Sequence, residues 1–485
     1  MSVRNLEPQI IWNHFEDLNA VPRPSKKEER VRQFVVDFGH KLGLETIVDK
    51  VGNVIIKKSA TAGMENRETV ILQGHIDMVH QKNSDTEFDF DTQGIQSYID
   101  DEWVKAKGTT LGADNGMGVA AAMSLLSSTD LEHPALEALF TIDEETGMTG
   151  AKYLDGSHLT GKVLLNLDTE DDDEFSVGCA GGIDTNTLYK YNTESVPTDY
   201  SAFTIELRGL KGGHSGMDIH LGRGNANILM NRLIYEAAQK TNIRVTELEG
   251  GSLRNAIPRE SFGTVVLPTN EKETFITFFN EFTTLLKFEN SSSEPGMEIN
   301  LKATELPSEM VAKADQAKIL SVIYTTPNGV WKISEKIEGL VETSSSFAKV
   351  IVRNGEFITK SLQRSMVEAG KHDIANALRV TYELIGAEVV QGGDYPGWAP
   401  NPNSKILKVL EKKYIEMFNE QPKVQACHAG LECGILSEHI LDCDMISFGP
   451  TIKNPHSPDE KVNIASVQKF WKFLVEVLKE TPIKA

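Results

Sequence analysis

The sequence predicts an α/β fold in which a doubly wound sheet is interrupted by an inserted α+β segment. Three apolar runs in the N-terminal third, residues 70–72, 135–142 and 163–167, are typical of buried strands, and helical patterns lie between them. Each run is followed by histidine or acidic residues. Ligands bind at the carboxyl ends of the strands in such sheets, so we expect a functional site there.

The length of the chain predicts two domains, because 485 residues exceed the usual size of one hydrophobic core. After residue 182 the acid-tipped strands give way to alternating strands and helices, and the first pattern returns near the C-terminus. We therefore predict a discontinuous catalytic domain of residues 1–183 and 395–485, with residues 184–394 inserted between them. Residues 392–398, which are rich in glycine, are interpreted as the linker back.

The composition excludes several classes of partner. Hydrophobic residues make up 40% and charged residues 25%, as in ordinary globular proteins. A net charge of −21 argues against nucleic acid and anionic membranes, because both require a basic face. No apolar stretch approaches the ~20 residues of a membrane span, and no signal pattern is recognised. The four cysteines lack CxxC spacing and are interpreted as reduced thiols of a cytoplasmic protein.

The first candidate site residues follow the apolar run at residues 70–72. Before it, Ser25 and Glu28 predict a capping box at the start of a helix. His75 and Asp77 lie two positions apart at the end of the strand, so their side chains face the same way. An imidazole beside a carboxylate suits a metal ligand and the group that orients it.

A glycine-rich loop, TTLGADNGMG at residues 109–118, runs directly into an apolar helix. Such loops often cradle phosphate, but the carboxylate of Asp114 at the centre would repel a phosphate. We therefore favour a cation. The competing interpretation is that Asp114 caps the helix that it precedes.

Acidic residues follow the next strands, and one histidine follows the last. Two histidines and three carboxylates are the set expected for a two-zinc hydrolytic site, in which one carboxylate bridges the ions. Ions ~3.5–4 Å apart can share, acidify and position a water. The residues considered for ligation and for orienting a ligand are His75, Asp77, Asp114, Glu144, Glu145, Asp168 and His456.

The adjacent pair Glu144 and Glu145 has a further implication, because hydrolysis requires a general base as well as metal ligands. Neighbouring side chains at a strand end diverge, so one glutamate can ligate while the other faces the water. The spacing alone does not decide which residue has which role.

Several ordered motifs resemble those of the dizinc metallopeptidases, the family that includes carnosinase, aminoacylase and bacterial di- and tripeptidases. They are GHIDMV, GADNGMGVA, TIDEETGMTGA, LNLDTED and NPHSPDE, with GLKGGHSGMDIHLGRGNAN resembling the family's lid signature. The segments SLRNAIPR, SLQRSM, QGGDYPGWAPNPNS and HAGLECG resemble the members that hydrolyse dipeptides ending in histidine. The resemblance covers nearly the whole chain, and it implies an aminopeptidase-like zinc hydrolase domain with an inserted lid.

The resemblance also implies residue roles in the catalytic domain. Glu144 would be the general base, and Asp77 would orient a ligating histidine. The ions are expected to be Zn²⁺, although Co²⁺ and Mn²⁺ tolerate the same nitrogen and oxygen ligands. The implied ligands are His75, Asp114 and Asp168 for one ion, with Asp114 as the bridge, and Glu145 and His456 for the other.

In the lid, the resemblance implies that His214 stabilises the oxyanion and that Asn255 and Arg364 hold the carbonyl and terminal carboxylate of the substrate. Gly430 would offer backbone contacts. The implied reaction is hydrolysis of unblocked dipeptides, including Xaa-His, by a homodimer formed through the lid. The competing interpretations are an N-acyl amino acid deacylase or tripeptidase of the same family, and a non-catalytic peptide- or metal-binding relative. The acidic residues 171–174 are interpreted as a solvated loop rather than an additional metal site.

Overall fold

The structure, a computed structural model, describes residues 2–335 and 337–484. Within this part the chain divides into two compact units, residues 1–179, 398–426 and 431–485 in the first and residues 180–397 and 427–430 in the second. Each unit has its own hydrophobic core. In the described ranges, no helix has the length and apolar character needed to cross a membrane.

In the described part of the first unit, an eight-stranded mixed sheet has a parallel centre. Both Val70–His75 and Leu136–Thr141 are buried along their whole length, as expected for strands covered on both faces. The predicted α/β class is confirmed. In order across the sheet, the strands are Glu45–Val48, Val54–Lys58, Leu136–Thr141, Val70–His75, Val163–Asn166, Asp444–Ser447, Glu174–Cys179 and Lys423–Cys427.

The helices of the first unit pack with this sheet into one core. Gln9–Asn19 and Ile464–Lys479, from opposite ends of the chain, both contribute buried apolar residues to it. The α-helices described for this unit are Gln9–Asn19, Glu29–Lys41, Ala113–Ser127, Thr149–Lys152, Lys405–Phe418, Glu432–His439 and Ile464–Lys479.

A smaller antiparallel sheet in the first unit explains how the C-terminal histidine reaches the glycine-rich loop. The hairpin of Ile452–Lys453 and Lys461–Asn463 pairs with Trp103–Ala106, which pairs in turn with Ser97–Asp100. The loop of this hairpin carries His456, and the glycine-rich loop begins shortly after Trp103–Ala106. The pairing therefore brings together segments that are more than 300 residues apart in sequence, as the separation of 342 between His456 and its partner Asp114 illustrates.

The second unit is α+β. Among its described residues, antiparallel strands form a nine-stranded sheet in the order Glu298–Thr304, Tyr200–Arg208, Ser261–Pro268, Arg244–Gly250, Val341–Arg353, Glu356–Ser365, Gly181–Lys190 and Glu388–Tyr395, with Gly329–Ile333 also paired to Val341–Arg353. Its α-helices are Ala226–Ala238, Lys272–Glu289, Lys313–Thr325 and Glu368–Glu383. Shorter strand pairs are Thr193–Ser195 with Glu309–Val311 and Gly213–His214 with Ala256–Ile257.

The interpretation of residues 392–398 as a linker is wrong for its first half. Residues 392–395 belong to the strand Glu388–Tyr395, which pairs with Gly181–Lys190. Two consecutive glycines weaken the local strand pattern. The hydrogen bonds that define this strand come from residues about 200 positions earlier, which a local pattern does not reveal.

Candidate active site

The parallel strands of the first unit deliver several of the predicted site residues to one edge of the sheet. His75 is the last residue of its strand, and the acidic residues follow the two neighbouring strands within four positions. Carboxyl ends of parallel strands meet at the same edge, so these side chains converge. Two loops complete the cluster, whose members are His75, Asp114, Glu145, Asp168 and His456.

Asp114 lies at the centre of this cluster. Its Oδ1 is 3.1 Å from Nε2 of His75, and its Oδ2 is 3.2 Å from Nε2 of His456. The same nitrogen of His75 lies 3.5 Å from Oδ1 of Asp168, and that of His456 lies 3.0 Å from Oε2 of Glu145. Each oxygen of Asp114 therefore faces a different histidine–carboxylate pair, which is the arrangement expected of a bridging carboxylate.

Asp114 does not cap the helix Ala113–Ser127. The N-cap residue is Gly112, and the backbone of Asp114 is non-helical, with φ −81° and ψ 111°. The first amides of the helix donate instead to the carboxylate of Glu460. An N-cap side chain accepts from a backbone amide, whereas the carboxylate of Asp114 contacts the two histidines and accepts from no backbone amide of the described residues, so the helix-cap interpretation is wrong.

The cluster fits divalent cations. Oε1 of Glu145 and Oδ1 of Asp168 are buried, and neither accepts a hydrogen bond from a described residue. Buried carboxylate oxygens that accept no hydrogen bond are costly, and a cation would compensate them. Ligand atoms of His75, Asp114 and Glu145 lie within 4.8 Å of one another. Imidazole nitrogen and carboxylate oxygen are among the ligands that Zn²⁺ accepts.

The pKa shifts within the cluster also indicate a site for cations. Burial, together with the negative charges of Asp114 and Glu145, raises the pKa of Asp168 to about 6. Hydrogen bonds to Asp114 and Glu145 raise the pKa of His456 to about 11. Burial opposes ionisation of Asp114, but the two histidines hold the pKa of its carboxyl well below the usual value. This concentration of negative charge attracts cations.

Asp77 orients His75 and also holds the loop that follows the neighbouring strand. Its Oδ1 lies 3.4 Å from Nδ1 of His75 and accepts a hydrogen bond from the Glu144 amide at 3.0 Å. Its Oδ2 accepts from the Glu145 amide at 3.3 Å and from the Ser25 hydroxyl at 2.8 Å. With Nδ1 turned toward Asp77, the other nitrogen of His75 is directed at the cluster.

The predicted capping box of Ser25 and Glu28 is wrong. The helix begins at Glu29, and no side-chain capping bond is made at its start. The hydroxyl of Ser25 donates to Asp77, while Oε1 of Glu28 accepts from the Lys26 amide at 2.6 Å. A buried carboxylate from a distant segment is a stronger acceptor than anything in the local pattern, so the serine serves the site instead.

The two adjacent glutamates occupy different environments. Glu145 contacts His456 and its side chain is 3% exposed, whereas the carboxylate of Glu144 accepts no hydrogen bond from any residue in the described ranges. Burial, reinforced by the negative charges of Asp168, Glu145 and Glu432, raises the pKa of Glu144 well above its usual value, against the opposing charge of His75. A carboxyl group of this kind suits proton transfer.

A buried network of polar side chains lies one step back from the strand ends, and it was not predicted from the sequence. Gln73 accepts from Nδ2 of Asn166 at 2.5 Å and donates to Oε2 of Glu432 at 2.6 Å. The hydroxyl of Thr141 donates to the same oxygen at 2.9 Å. Burial raises the pKa of Glu432 to about 7. Its acidic position in HAGLECG was the available signal, but that motif was considered only for its glycine.

The acidic residues 171–174 are partly exposed, as predicted for a solvated loop, and three of them form ion pairs at the surface. Asp171 pairs with Lys453 at 2.5 Å, Asp172 with Lys469 at 3.0 Å and Asp173 with Lys423 at 2.8 Å. These lysines lie more than 200 residues away in sequence, which is why a local charge count does not reveal them. With three of the four carboxylates in ion pairs and Glu174 accepting from the Ser176 hydroxyl at 3.2 Å, the segment is not arranged to hold a metal ion.

In the second unit, the surroundings of His214 define its tautomer. Nδ1 accepts from the amides of Gly216 at 3.2 Å and Met217 at 3.0 Å, so the proton of the neutral ring is on Nε2. Burial and the charge of Arg364 lower the pKa of His214. Asn255 lies beside this histidine, since its carbonyl accepts from the Ser215 amide at 2.9 Å. The neutral ring of His214 can therefore donate a hydrogen bond from Nε2, which is the capacity that an oxyanion-stabilising group needs.

Arg364 lies in the same region of the second unit and is 5% exposed. Its Nη1 donates to the hydroxyl of Tyr395 at 2.8 Å, and its Nε has no partner among the described residues. A Cβ added to Gly216 would lie 3.1 Å from that Nε, and one added to Gly430 would lie 3.1 Å from Cε2 of Tyr395. The second unit therefore brings His214, Asn255, Arg364 and Gly430 into one region.

A buried histidine in this region, His428, predicts a pH dependence of stability. It is 6% exposed and contacts the Ser344 hydroxyl at 2.7 Å, and burial with the charge of Arg364 lowers its pKa to about 3. Between pH 6.5 and 3 the histidine is protonated in the unfolded chain but not in the folded protein. The free energy of unfolding therefore decreases as the pH is lowered. When the pH is lowered from 7 to 5, the free energy of unfolding should fall by about 2 kcal/mol less in His428→Gln than in the wild type, as measured by urea unfolding without metal. An unchanged pH dependence in the variant would contradict this.

The comparison with known families classifies the chain. The model of the peptidase family M20/M25/M40 matches residues 71–480, a span that contains the whole cluster around Asp114. The chain belongs to this family. The resemblance inferred from the ordered motifs is thereby confirmed, as is the expected class of fold.

Relatives within this family match the entire chain. The cytosol non-specific dipeptidase of Escherichia coli is 41% identical over 479 residues, which are 99% of this chain and 99% of the relative. The crystal structure of the aminoacylhistidine dipeptidase from Vibrio alginolyticus has a TM-score of 0.96 at 44% identity and covers 100% of this chain and 99% of its own. An aminopeptidase from Bacillus cereus shares the fold, with a TM-score of 0.56 at 16% identity over 98% of this chain and 99% of its own.

Proposed function

We propose that the protein is a metal-dependent dipeptidase of the cytoplasm that hydrolyses unblocked dipeptides, including Xaa-His dipeptides. The similarity to two dipeptidases along the entire chain supports the substrate class. One observation supports the metal-dependent reaction above all: Oδ1 of Asp114 faces His75, and Oδ2 of Asp114 faces His456. A hydrolytic centre with two ions requires a bridging group of this kind.

The proposed ligands are those of the cluster, with Asp114 as the bridge. His75 and Asp168 would hold one ion, and Glu145 and His456 would hold the other. The two buried carboxylate oxygens without hydrogen bonds support this assignment. Zn²⁺ is the proposed metal, and Co²⁺ or Mn²⁺ would suit the same ligands. When bound, such ions supply Lewis acidity, which lowers the pKa of a water and polarises a peptide carbonyl.

Glu144 is proposed to move the protons of the reaction. It would take a proton from the attacking water as the new C–O bond forms, and it would give that proton to the amine nitrogen as the C–N bond breaks. Its burial and its raised pKa support this role. Asp77 would hold the backbone of Glu144 and orient the ring of His75. Its hydrogen bond from the Glu144 amide supports this role, as does Nδ1 of His75, which lies 3.3 Å from the backbone carbonyl of Asp77 and 3.4 Å from its Oδ1.

The residues of the second unit are proposed to bind the substrate. His214 would donate from Nε2 to the carbonyl oxygen as that oxygen gains negative charge. Asn255 would hold the same carbonyl, Arg364 would hold the terminal carboxylate, and Gly430 would leave room for backbone contacts. The proposed division remains a catalytic domain of residues 1–183 and 395–485 and a lid of residues 184–394, except that residues 180–183, 395–397 and 427–430 belong to the second unit. A homodimer formed through the lid is a further part, on the family resemblance alone.

The carboxylate clamp yields a prediction about Arg364. Its replacement by alanine should raise KM for a dipeptide by roughly 10- to 100-fold and change kcat less, because a charge-assisted pair of hydrogen bonds is lost. The same variant should not weaken the hydrolysis of a C-amidated dipeptide, which lacks the carboxylate. If the wild type hydrolyses amidated and free dipeptides with equal kcat/KM, Arg364 does not act as a clamp.

The proposed function is tested with metal-loaded protein and matched substrates that share one Xaa-His sequence. The free dipeptide should be hydrolysed, whereas the N-acetylated amino acid Xaa and a tripeptide that extends the dipeptide should react at least 10-fold more slowly. Preference for N-acetylated amino acids would indicate a deacylase, and preference for the tripeptide would indicate a tripeptidase. Metal binding without turnover of any member would indicate a non-catalytic relative.

A further inference from the structure

The glycine-rich loop before the central helix is held by a carboxylate from the opposite end of the chain. Glu460 is 2% exposed, and its two oxygens accept hydrogen bonds from four successive backbone amides. Oε2 accepts from Leu111 at 2.7 Å and Gly112 at 2.9 Å, and Oε1 accepts from Ala113 at 2.7 Å and Asp114 at 3.2 Å. Successive amides that converge in this way form an anion-binding concavity, and here the anion is a side chain of the protein.

The opposite side of the same loop is held by a buried cation. The guanidinium of Arg23, also 2% exposed, donates to the carbonyl of Gly112 at 2.5 Å. It donates as well to the carbonyls of Ile76 at 3.3 Å and Asp77 at 3.0 Å, directly after His75. Gly112 is thus fixed through its amide by Glu460 and through its carbonyl by Arg23.

The residue between these two charges must be glycine. Gly112 has φ +71°, a conformation that other residues rarely adopt, and a Cβ there would lie 2.4 Å from Nη2 of Arg23. Two positions later the chain reaches Asp114, whose own amide is the last of the four that Glu460 binds. The position of the central carboxylate therefore depends directly on Glu460.

Glu460 also belongs to the hairpin loop that carries His456. The side chain of that histidine is 54% exposed, and its backbone has φ +61°, which a non-glycine residue adopts only when its surroundings impose it. The four hydrogen bonds of Glu460 tie this loop to the glycine-rich loop. They therefore fix the separation of His456 and Asp114, while Arg23 ties Asp114 to the strand end that carries His75.

We propose that Glu460 is a positioning residue that, with Arg23, sets the geometry of the cluster before any metal ion binds. This inference rests on the proposed function only in that the cluster is taken to hold metal. The expected consequence is that the loss of Glu460 weakens metal binding by roughly 10- to 100-fold, as is typical for groups that orient metal ligands.

The direct test is Glu460→Gln. The amide has the shape of the carboxylate but places an NH₂ donor against two backbone amides that are themselves donors. The matched control is Glu137→Gln, since Glu137 is 3% exposed and also accepts from backbone amides, those of Thr160 and Gly161, at the amino end of its strand. Chelator competition should show at least 10-fold weaker Zn²⁺ binding for Glu460→Gln and less than threefold change for the control.

A spectroscopic measurement separates positioning from general destabilisation. The visible spectrum of the Co²⁺-loaded protein depends on ligand geometry, so it should change in Glu460→Gln and stay unchanged in Glu137→Gln. Wild-type Zn²⁺ affinity with a wild-type Co²⁺ spectrum in Glu460→Gln would overturn the proposal. The proposed function would remain intact in that case, because the wild type would still hold its ions.

If Glu460→Gln does not fold, hydrogen exchange of the wild type decides the question. In the metal-free protein the amides of residues 111–114 should exchange at least 100-fold more slowly than in an unstructured chain, because Glu460 already binds them. Exchange within threefold of the unstructured rate, with protection only after metal is added, would show that the metal orders the loop and would overturn the proposal. This measurement remains decisive even if the wild type fails to bind added metal, the outcome that would instead refute the proposed function.

Discussion

Replacing Glu144 with glutamine is expected to lower kcat by roughly 10²- to 10⁴-fold while both metal ions remain bound. The carboxamide cannot accept the proton of the attacking water, and general acid–base catalysis contributes about that much. KM should change little, because Glu144 is not among the proposed substrate-binding groups. Metal content by elemental analysis and steady-state kinetics on one dipeptide measure both effects.

The neighbouring residue provides the matched control. Glu145→Gln alters the adjacent position by the same chemical change, but it removes a proposed ligand that contacts His456 at 3.0 Å. It should lower the metal content, and excess Zn²⁺ should restore part of its activity, whereas Glu144→Gln should not respond to added metal. Full turnover by metal-loaded Glu144→Gln would mean that another group is the base.

Replacing Asp114 with asparagine is expected to reduce bound metal from two ions per chain to fewer than one. A carboxamide offers one good oxygen ligand, whereas the two oxygens of Asp114 face different histidines. Activity should fall with the metal content. Elemental analysis after gel filtration into metal-free buffer gives the stoichiometry.

Asp168→Asn is the control for this second experiment, because Asp168 lies on the side of His75 alone. It should lose one ion and keep the other. If Asp114→Asn retains two ions, or if the two variants lose metal equally, Asp114 is not the bridge.

The parts of the cluster that could be predicted from the sequence are those carried by local pattern. His75 and Asp168 stand at the ends of apolar runs, and the parallel arrangement of such runs brings their ends together. From the sequence, the roles of Glu144 and Glu145 could be assigned only through the family resemblance. The structure distinguishes their surroundings, because Glu145 faces His456 and Glu144 makes no hydrogen bond to a described residue through its carboxylate.

The parts that could not be predicted depend on contacts between distant segments. Ser25 fits a capping box locally, yet it donates to Asp77, 52 residues away. Glu460 lies four residues after the predicted ligand His456, but the four backbone amides that donate to it are almost 350 residues earlier in the chain. Lysines that pair with residues 171–173 are equally remote. Sequence patterns report periodicity and chain direction, and they carry no direct information about which distant group completes a hydrogen bond.

The most direct test of the account is anomalous X-ray diffraction at the zinc edge from crystals of the Zn²⁺-loaded protein. The account predicts two peaks about 3.5–4 Å apart, one bound to Oδ1 of Asp114 and the other to Oδ2. His75 and Asp168 should complete the first site, and Glu145 and His456 the second. A single peak, or two peaks that do not share Asp114, would contradict the assignment of this cluster as a two-metal hydrolytic centre.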